Sequence, residues 1–173
     1  MDKEKTAFFT GHRAIPESSV RPMLSELYST VCRLILEGYD SFICGGAVGF
    51  DTYSAECVLS FRERFPDIRL TLALPCRDQT MKWNSLKDLN KYKSILGRAD
   101  SVVYVRDFYC DGCMLERNRW MADHSSLCIA YLTKSKGGSA YTYNYSKKIG
   151  IRIINIAEKT ENPQLPLEIP MKG

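Results

Sequence analysis

Six short runs, apolar along most of their length, alternate with five longer stretches of helical spacing. The runs are 6–10, 41–44, 68–75, 101–105, 126–132 and 151–157. Between them lie helical patterns at 18–37, 50–64, 84–97, 113–124 and a segment ending near 148. In the first of these, Val20, Met23, Leu24, Leu27, Val31, Leu34 and Ile35 recur at three- and four-residue intervals before Gly38. A strand that is apolar on both sides must be covered on both faces, and helical crossovers between parallel strands supply that cover. The expectation is an α/β, Rossmann-like three-layer domain with a mostly parallel central sheet, spanning residues 1–157. Residues 158–173 are rich in proline and polar groups and read as a loosely attached tail.

A chain of 173 residues is long enough for one sizeable core. No apolar stretch is long enough to cross a bilayer, and "MDKEKTAFF" has too short an apolar patch for a secretory signal. The expected compartment is therefore the cytoplasm, with no membrane partner. Seven cysteines cannot all pair within one chain, and most sit in apolar runs, which suggests reduced, buried thiols. The net charge of +4 permits an anionic ligand without arguing for nucleic acid.

In parallel sheets, ligands gather where the carboxyl ends of the strands meet the loops. The first loop holds Gly11, His12 and Arg13. The second is "GGAVGFD", with Gly45, Gly46, Gly49 and Asp51. The third is "PCRDQTMKW" and the fourth "RDFYCDGCMLERNRWM", with Arg117 and Asn118. The fifth is "KGGSAYT", with Gly137, Gly138, Ser139 and Thr142. Glycine lets a phosphate approach the backbone closely, and helix N-termini favour anions.

Each loop also has a plainer reading. "GGAVGFD" fits neither the dinucleotide fingerprint nor the Walker phosphate loop, and it equally suits a tight turn with Asp51 capping the next helix. Ser139 can likewise be an N-cap. Cys110 and Cys113 form a C-x-x-C without a second pair at zinc-ribbon spacing, so no metal is expected. His12 is an acid–base candidate or a loop histidine bonded to backbone. Arg117 at a helix start is a phosphate clamp or solvated surface. Trp83 and Tyr109 can stack on a base or simply pack.

Taken in order, "FTGHR", "GGAVGFD", "PCRDQTMKW", "ADSVVYV", "YCDGCMLERNRWMADHSSLCIAY" and "GGSAYT" resemble the YpsA-like family of the SLOG superfamily, from about Thr6 to Ala157. The resemblance implies a Rossmann-like fold with a pocket for nucleotides or nucleotide-derived molecules. It also offers two relatives as guides. Arg117-Asn118-Arg119 and Gly138-Ser139 with Thr142 look like the R-N-R and G-S-x-x-T segments of the DNA-processing protein DprA, which handles single-stranded DNA. Met114, Arg117, Gly137 and Gly138 match part of the lonely-guy phosphoribohydrolase pattern. That pattern continues to a glutamate used in N-glycosidic cleavage, whereas "YTYNYSKK" (141–148) has no carboxylate.

The resulting expectation is a domain that binds a nucleotide or an ADP-ribose-type molecule without transforming it. The glycine loops would cradle phosphate and Arg117, with Arg13, would neutralise charge. Asn118 would bond sugar or phosphate, and Asp51 would cap a helix or meet a ribose. No cofactor is implied, and self-association stays open. The alternatives are a hydrolase using His12 or Asp51, and DprA-like binding of single-stranded DNA. The latter is less favoured, because the basic residues nearest the loops are few: Arg13, Arg117, Arg119, Lys134 and Lys136. Replacing Arg117 with alanine is expected to cost affinity far more than stability.

Overall fold

Alternation along the central strand decides which side of the sheet each helix covers. In the computed structural model, which describes residues 1–160, β1 (Thr6–Gly11) carries the fully buried Phe8 and Phe9 on opposite faces. Phe9 packs with Phe42 of β2 (Ser41–Cys44), Leu70 and Leu72 of β3 (Arg69–Leu74), and Ile129 of β5 (Leu127–Tyr131). This side is covered by α1 (Glu17–Leu36), α2 (Phe50–Ser60), α3 (Leu86–Arg98) and the short α6 (Ile156–Thr160). The other side presents Phe8, Ile43, Ala73, Cys128 and Ala130. It is covered by α4 (Cys113–Asp123), through Met121 and Ala122, and by α5 (Gly138–Lys148), through Tyr143 and Tyr145.

The strand order is β4 (Ser101–Tyr104), β3, β2, β1, β5, β6 (Arg152–Asn155), and every pairing is parallel. The fold is thus α/β and Rossmann-like, as expected, with a sheet parallel throughout. Strands β1 to β4 add outward on one side, and the chain then returns to lay β5 on the other side of β1. The connection after β1 runs to α1 on one face and the connection after β5 runs to α5 on the opposite face. Loops that diverge in this way leave a crevice at the carboxyl ends of the two strands.

Several boundaries differ from the sequence reading. The edge strands β4 and β6 are only half buried, with Ser101 and Arg152 exposed, because each lacks a neighbour on one side. The last strand stops at Asn155 instead of 157. Asn155 Oδ1 accepts the Leu132 N–H at 3.1 Å and the Ala157 N–H at 3.3 Å, while Nδ2 donates to the Leu132 carbonyl at 3.0 Å. One amide side chain therefore continues the ladder with β5 and caps α6. Helix α2 ends at Ser60 and a run of turns occupies 61–64. Residues 158–160 belong to α6, and the rest of the expected tail, 161–173, lies outside the described residues.

Gly49 opens α2 at φ 81°, a left-handed conformation that disfavours any Cβ. A Cβ there would also overlap the Arg13 carbonyl, on the loop that follows β1. Gly49→Ala is expected to destabilise the fold by about 1–3 kcal/mol. Urea denaturation would read this as a lower midpoint at unchanged slope.

Candidate functional site

A cleft of about 300 Å³ opens at the crevice between the ends of β1 and β5. Gly11, His12 and Arg13 line one wall, and Lys136, Gly137, Gly138 and Ser139 line the second. The third comes from α4, where Met114, Arg117, Asn118 and Met121 recur on one helical face. Ala47 and Asp51 close the floor. Nine of the thirteen candidate residues therefore meet here: Gly11, His12, Arg13, Asp51, Arg117, Asn118, Gly137, Gly138 and Ser139. Gly45, Gly46, Gly49 and Thr142 do not line this cleft.

The roles inside "GGAVGFD" need correction. Its glycines admit close approach from inside the protein. A Cβ on Gly45 would collide with the Arg117 guanidinium and stand 2.7 Å from Asp51 Oδ2. One on Gly46 would lie 2.7 Å from the Leu74 side chain. The helix that follows has its first donor occupied, since the Phe50 N–H meets the His12 carbonyl at 3.1 Å. Asp51 is the second residue of α2, not its N-cap, which is Gly49. Its Oδ2 accepts the Ala47 N–H at 3.1 Å and closes the loop on itself. Burial raises the Asp51 pKa, while Arg117, the Ala47 N–H and Arg13 pull it back down.

Arg117 is 5% exposed, not a solvated surface residue. Its Nη1 donates to the Gly45 carbonyl and, at 3.3 Å, to the Ala73 carbonyl, and Nε donates to Asn118 Oδ1 at 2.8 Å. One guanidinium thus ties α4 to the ends of β2 and β3. Desolvation lowers its pKa and the nearby Asp51 opposes that, so the two buried charges offset each other.

The second glycine loop is built differently. Gly137, at φ 99°, is the N-cap of α5, and no side chain caps the helix. The first N–H groups of a helix have no partner within it. Here they belong to Gly138 and Ser139, which line the cleft. Ser139 is not the cap: its Oγ donates to the Gly11 carbonyl at 2.6 Å, which joins the two walls. Thr142 is buried and its Oγ1 donates back to the Gly138 carbonyl at 2.9 Å, so it faces its own helix. Arg119 is also turned away, with Nε donating to the Tyr141 hydroxyl at 2.6 Å.

His12 stands edge-on to Tyr131, and its Nε2 accepts the Thr133 N–H at 2.9 Å. That bond requires an unprotonated Nε2, and partial burial followed by Lys134 lowers the His12 pKa. In the C-x-x-C, Cys113 is buried in the first turn of α4 while Cys110 is exposed. Among the described residues, no three His, Cys, Asp or Glu side chains are grouped as metal ligands would be. Nor is any described helix long and apolar enough to cross a membrane.

Sequence reading overlooked Met121 and underused Met114 and Lys136. The signal for the two methionines was present in the 114, 117, 118, 121 spacing, which matches a single helical face.

Residues 17–156 match the YspA SLOG family. The chain is 30% identical over 119 residues to the SPbeta prophage-derived protein YoqJ of Bacillus subtilis (strain 168), covering 62% of this chain and 69% of that one. In fold it is similar to DNA processing protein A (DprA) from Streptococcus pneumoniae, with a TM-score of 0.60 and 14% identity over 87% of this chain and 50% of that one. The same protein from Helicobacter pylori, described for its single-stranded DNA binding mode, aligns with a TM-score of 0.57 and 19% identity. That match covers 86% of this chain and 63% of the other. The chain therefore spans only half to under two thirds of these DprA chains.

Burial gives Arg117 a structural role that the sequence expectation did not include. Arg117→Ala leaves two buried carbonyls without a donor and is expected to cost about 1–3 kcal/mol of stability. Arg117→Lys should recover only part, because an ammonium lacks the planar fork. Urea denaturation of both variants reads the effect, and wild-type stability in the alanine variant would remove Arg117 as the brace of the loop.

Because the folded-state pKa of His12 lies below the ordinary value of 6.5, the unfolded chain takes up its proton first as pH falls. Its contribution to stability is therefore complete above 6.5 and is lost as pH falls from there through the lower folded value. The melting temperature of wild type relative to His12→Ala should be highest at neutral pH and shrink below 6.5.

Proposed function

The chain belongs to the YspA SLOG family, and from that footing we propose that it holds a nucleotide or an ADP-ribose-type molecule in the cleft between β1 and β5 without transforming it. The observation that carries this reading is the uncapped N-terminus of α5, which lines the cleft beside Arg13 and Lys136. Backbone donors, a helix dipole and two cations on exposed residues favour a phosphate. Asp51 and Arg117 offset each other below, so the remaining charge is positive. Asn118 offers its amide NH2 to a sugar hydroxyl or a phosphate oxygen. A volume of about 300 Å³ suits one sugar–phosphate unit.

Binding is favoured over hydrolysis by the distribution of carboxylates. Cleavage of an N-glycosidic bond is helped by a carboxylate near the anomeric carbon. Residues 138–148 contain none, and Asp51, the acidic residue lining the cleft, is engaged with the Ala47 N–H. A second reading, single-stranded DNA binding, draws on the likeness to the two DprA structures. Against it stands the sparse basic lining, since Arg119 lies outside the cleft.

Native mass spectrometry of the purified protein should find a co-purifying nucleotide. Calorimetry with AMP, ADP and ADP-ribose should give binding that changes little with salt. Labelled oligo-dT should bind weakly and be released as salt rises from about 50 to 200 mM. Long incubation with nucleoside monophosphates should yield little free base by chromatography. Tight, steeply salt-dependent oligo-dT binding that mononucleotides fail to compete would replace this reading with the DNA one. Robust base release, lost in Asp51→Asn, would replace it with a hydrolase.

A further inference from the structure

A second concavity, of about 540 Å³, adjoins the first and shares Arg13, Ala47, Met114 and Arg117 with it. Its outer wall differs in chemistry. It is made by Met81, Lys82 and Trp83 from the loop after β3, and by Tyr109 from the loop after β4. Met81 is 77% exposed and Tyr109 52%. Phe108, next in the chain to Tyr109, is 75% exposed. Large apolar groups gathered on one rim mark a place where something is bound.

The Trp83 ring is packed against a neighbour, and the loop that carries Tyr109 is fastened through its backbone. Trp83 and Tyr92 pack edge to face at 5.4 Å between centroids, and the Trp83 backbone N–H donates to the Thr80 carbonyl at 2.9 Å. The Tyr109 backbone N–H donates to Asp78 Oδ1 at 3.0 Å, which fastens one loop to the other, and Lys82 Nζ stands 5.4 Å from the Tyr109 ring. Ring positions fixed in advance lower the ordering cost of stacking. Two polar side chains of the wall are engaged within the protein: Gln79 Nε2 donates to the Gly46 carbonyl at 3.1 Å, and Asp78 is taken up by the Tyr109 N–H. Such a wall reads the flat face of a ring more than its hydrogen-bonding edge.

We infer that this second cleft seats the nucleobase of the ligand, against Trp83 and Tyr109, while the phosphate lies at the α5 N-terminus. The inference rests on the nucleotide reading above and narrows it. The ligand is a two-part molecule, and the base contributes through stacking that discriminates little among bases.

Three probes separate the parts: ribose 5-phosphate, AMP and CMP. AMP and CMP should both bind at least about fivefold more tightly than ribose 5-phosphate. Tyr109→Ala, at an exposed loop position, should erase that difference. In Trp120→Phe, which leaves Trp83 as the single tryptophan, emission excited at 295 nm should be quenched by AMP and CMP but not by ribose 5-phosphate. Equal affinity for all three probes without quenching would overturn the base seat and leave the phosphate site standing. No binding of any of the three, nor of ADP or ADP-ribose, would overturn the nucleotide reading itself. Quenching by oligo-dT but by neither mononucleotide would overturn the seat in favour of a DNA strand.

Discussion

A charged side chain sealed under a turn of backbone organises the carboxyl end of this sheet. The Arg117 guanidinium is withdrawn from water, and its Nη1 and Nε donate to carbonyl and amide oxygens of the protein. Desolvating such a group costs several kcal/mol unless its donors are met. The close turn at Gly45 brings a main-chain oxygen within reach, and only a residue without Cβ leaves room for the guanidinium there. Asp51 then supplies the compensating charge while clasping the same turn through Ala47. Loop and arginine thus require each other, and the walls of both concavities are set by that pairing.

The division of labour between the two glycine loops follows from it. The loop after β2 uses its donors internally, with Ala47 bonded to Asp51 and Phe50 to the His12 carbonyl. It serves as scaffold. The loop after β5 leaves the start of α5 uncapped and facing open space. Two glycine-rich turns of similar appearance in sequence therefore differ in structure: one is tied to its neighbours, and the other opens a helix that no side chain caps. At the start of α2 the difference is the His12 carbonyl, which takes up the Phe50 N–H.

Much of the architecture was legible because burial on both faces leaves a plain mark. The runs around Phe8, Ile43 and Ile129 are apolar without alternation, and that pattern excludes a half-exposed antiparallel sheet. The edge strands were less legible, since β4 and β6 are as apolar in sequence as the centre yet half exposed. Asn155 gave no warning that it would end a strand and cap a helix. The position of the crevice was readable from topology, but the burial of Arg117 was not. An arginine early in an amphipathic helix looks solvated, and its burial depends on carbonyls at positions 45 and 73, which sequence spacing does not connect. Thr142 was misleading for a related reason, because its hydroxyl turns back on its own helix.

The bond from Ser139 to the Gly11 carbonyl spans 128 residues of chain, and that from Thr133 to His12 spans 121. The main cleft is therefore not a local motif that can persist in a partly folded chain. Its two walls meet only once β5 has docked beside β1, which is a long-range closure. A molecule bridging these walls acts as a reversible tie between the first strand and the fifth. Its binding energy adds to the cooperative unfolding of the whole sheet, by mass action, instead of ordering one loop. Occupancy of the cleft would then raise the stability of the whole fold.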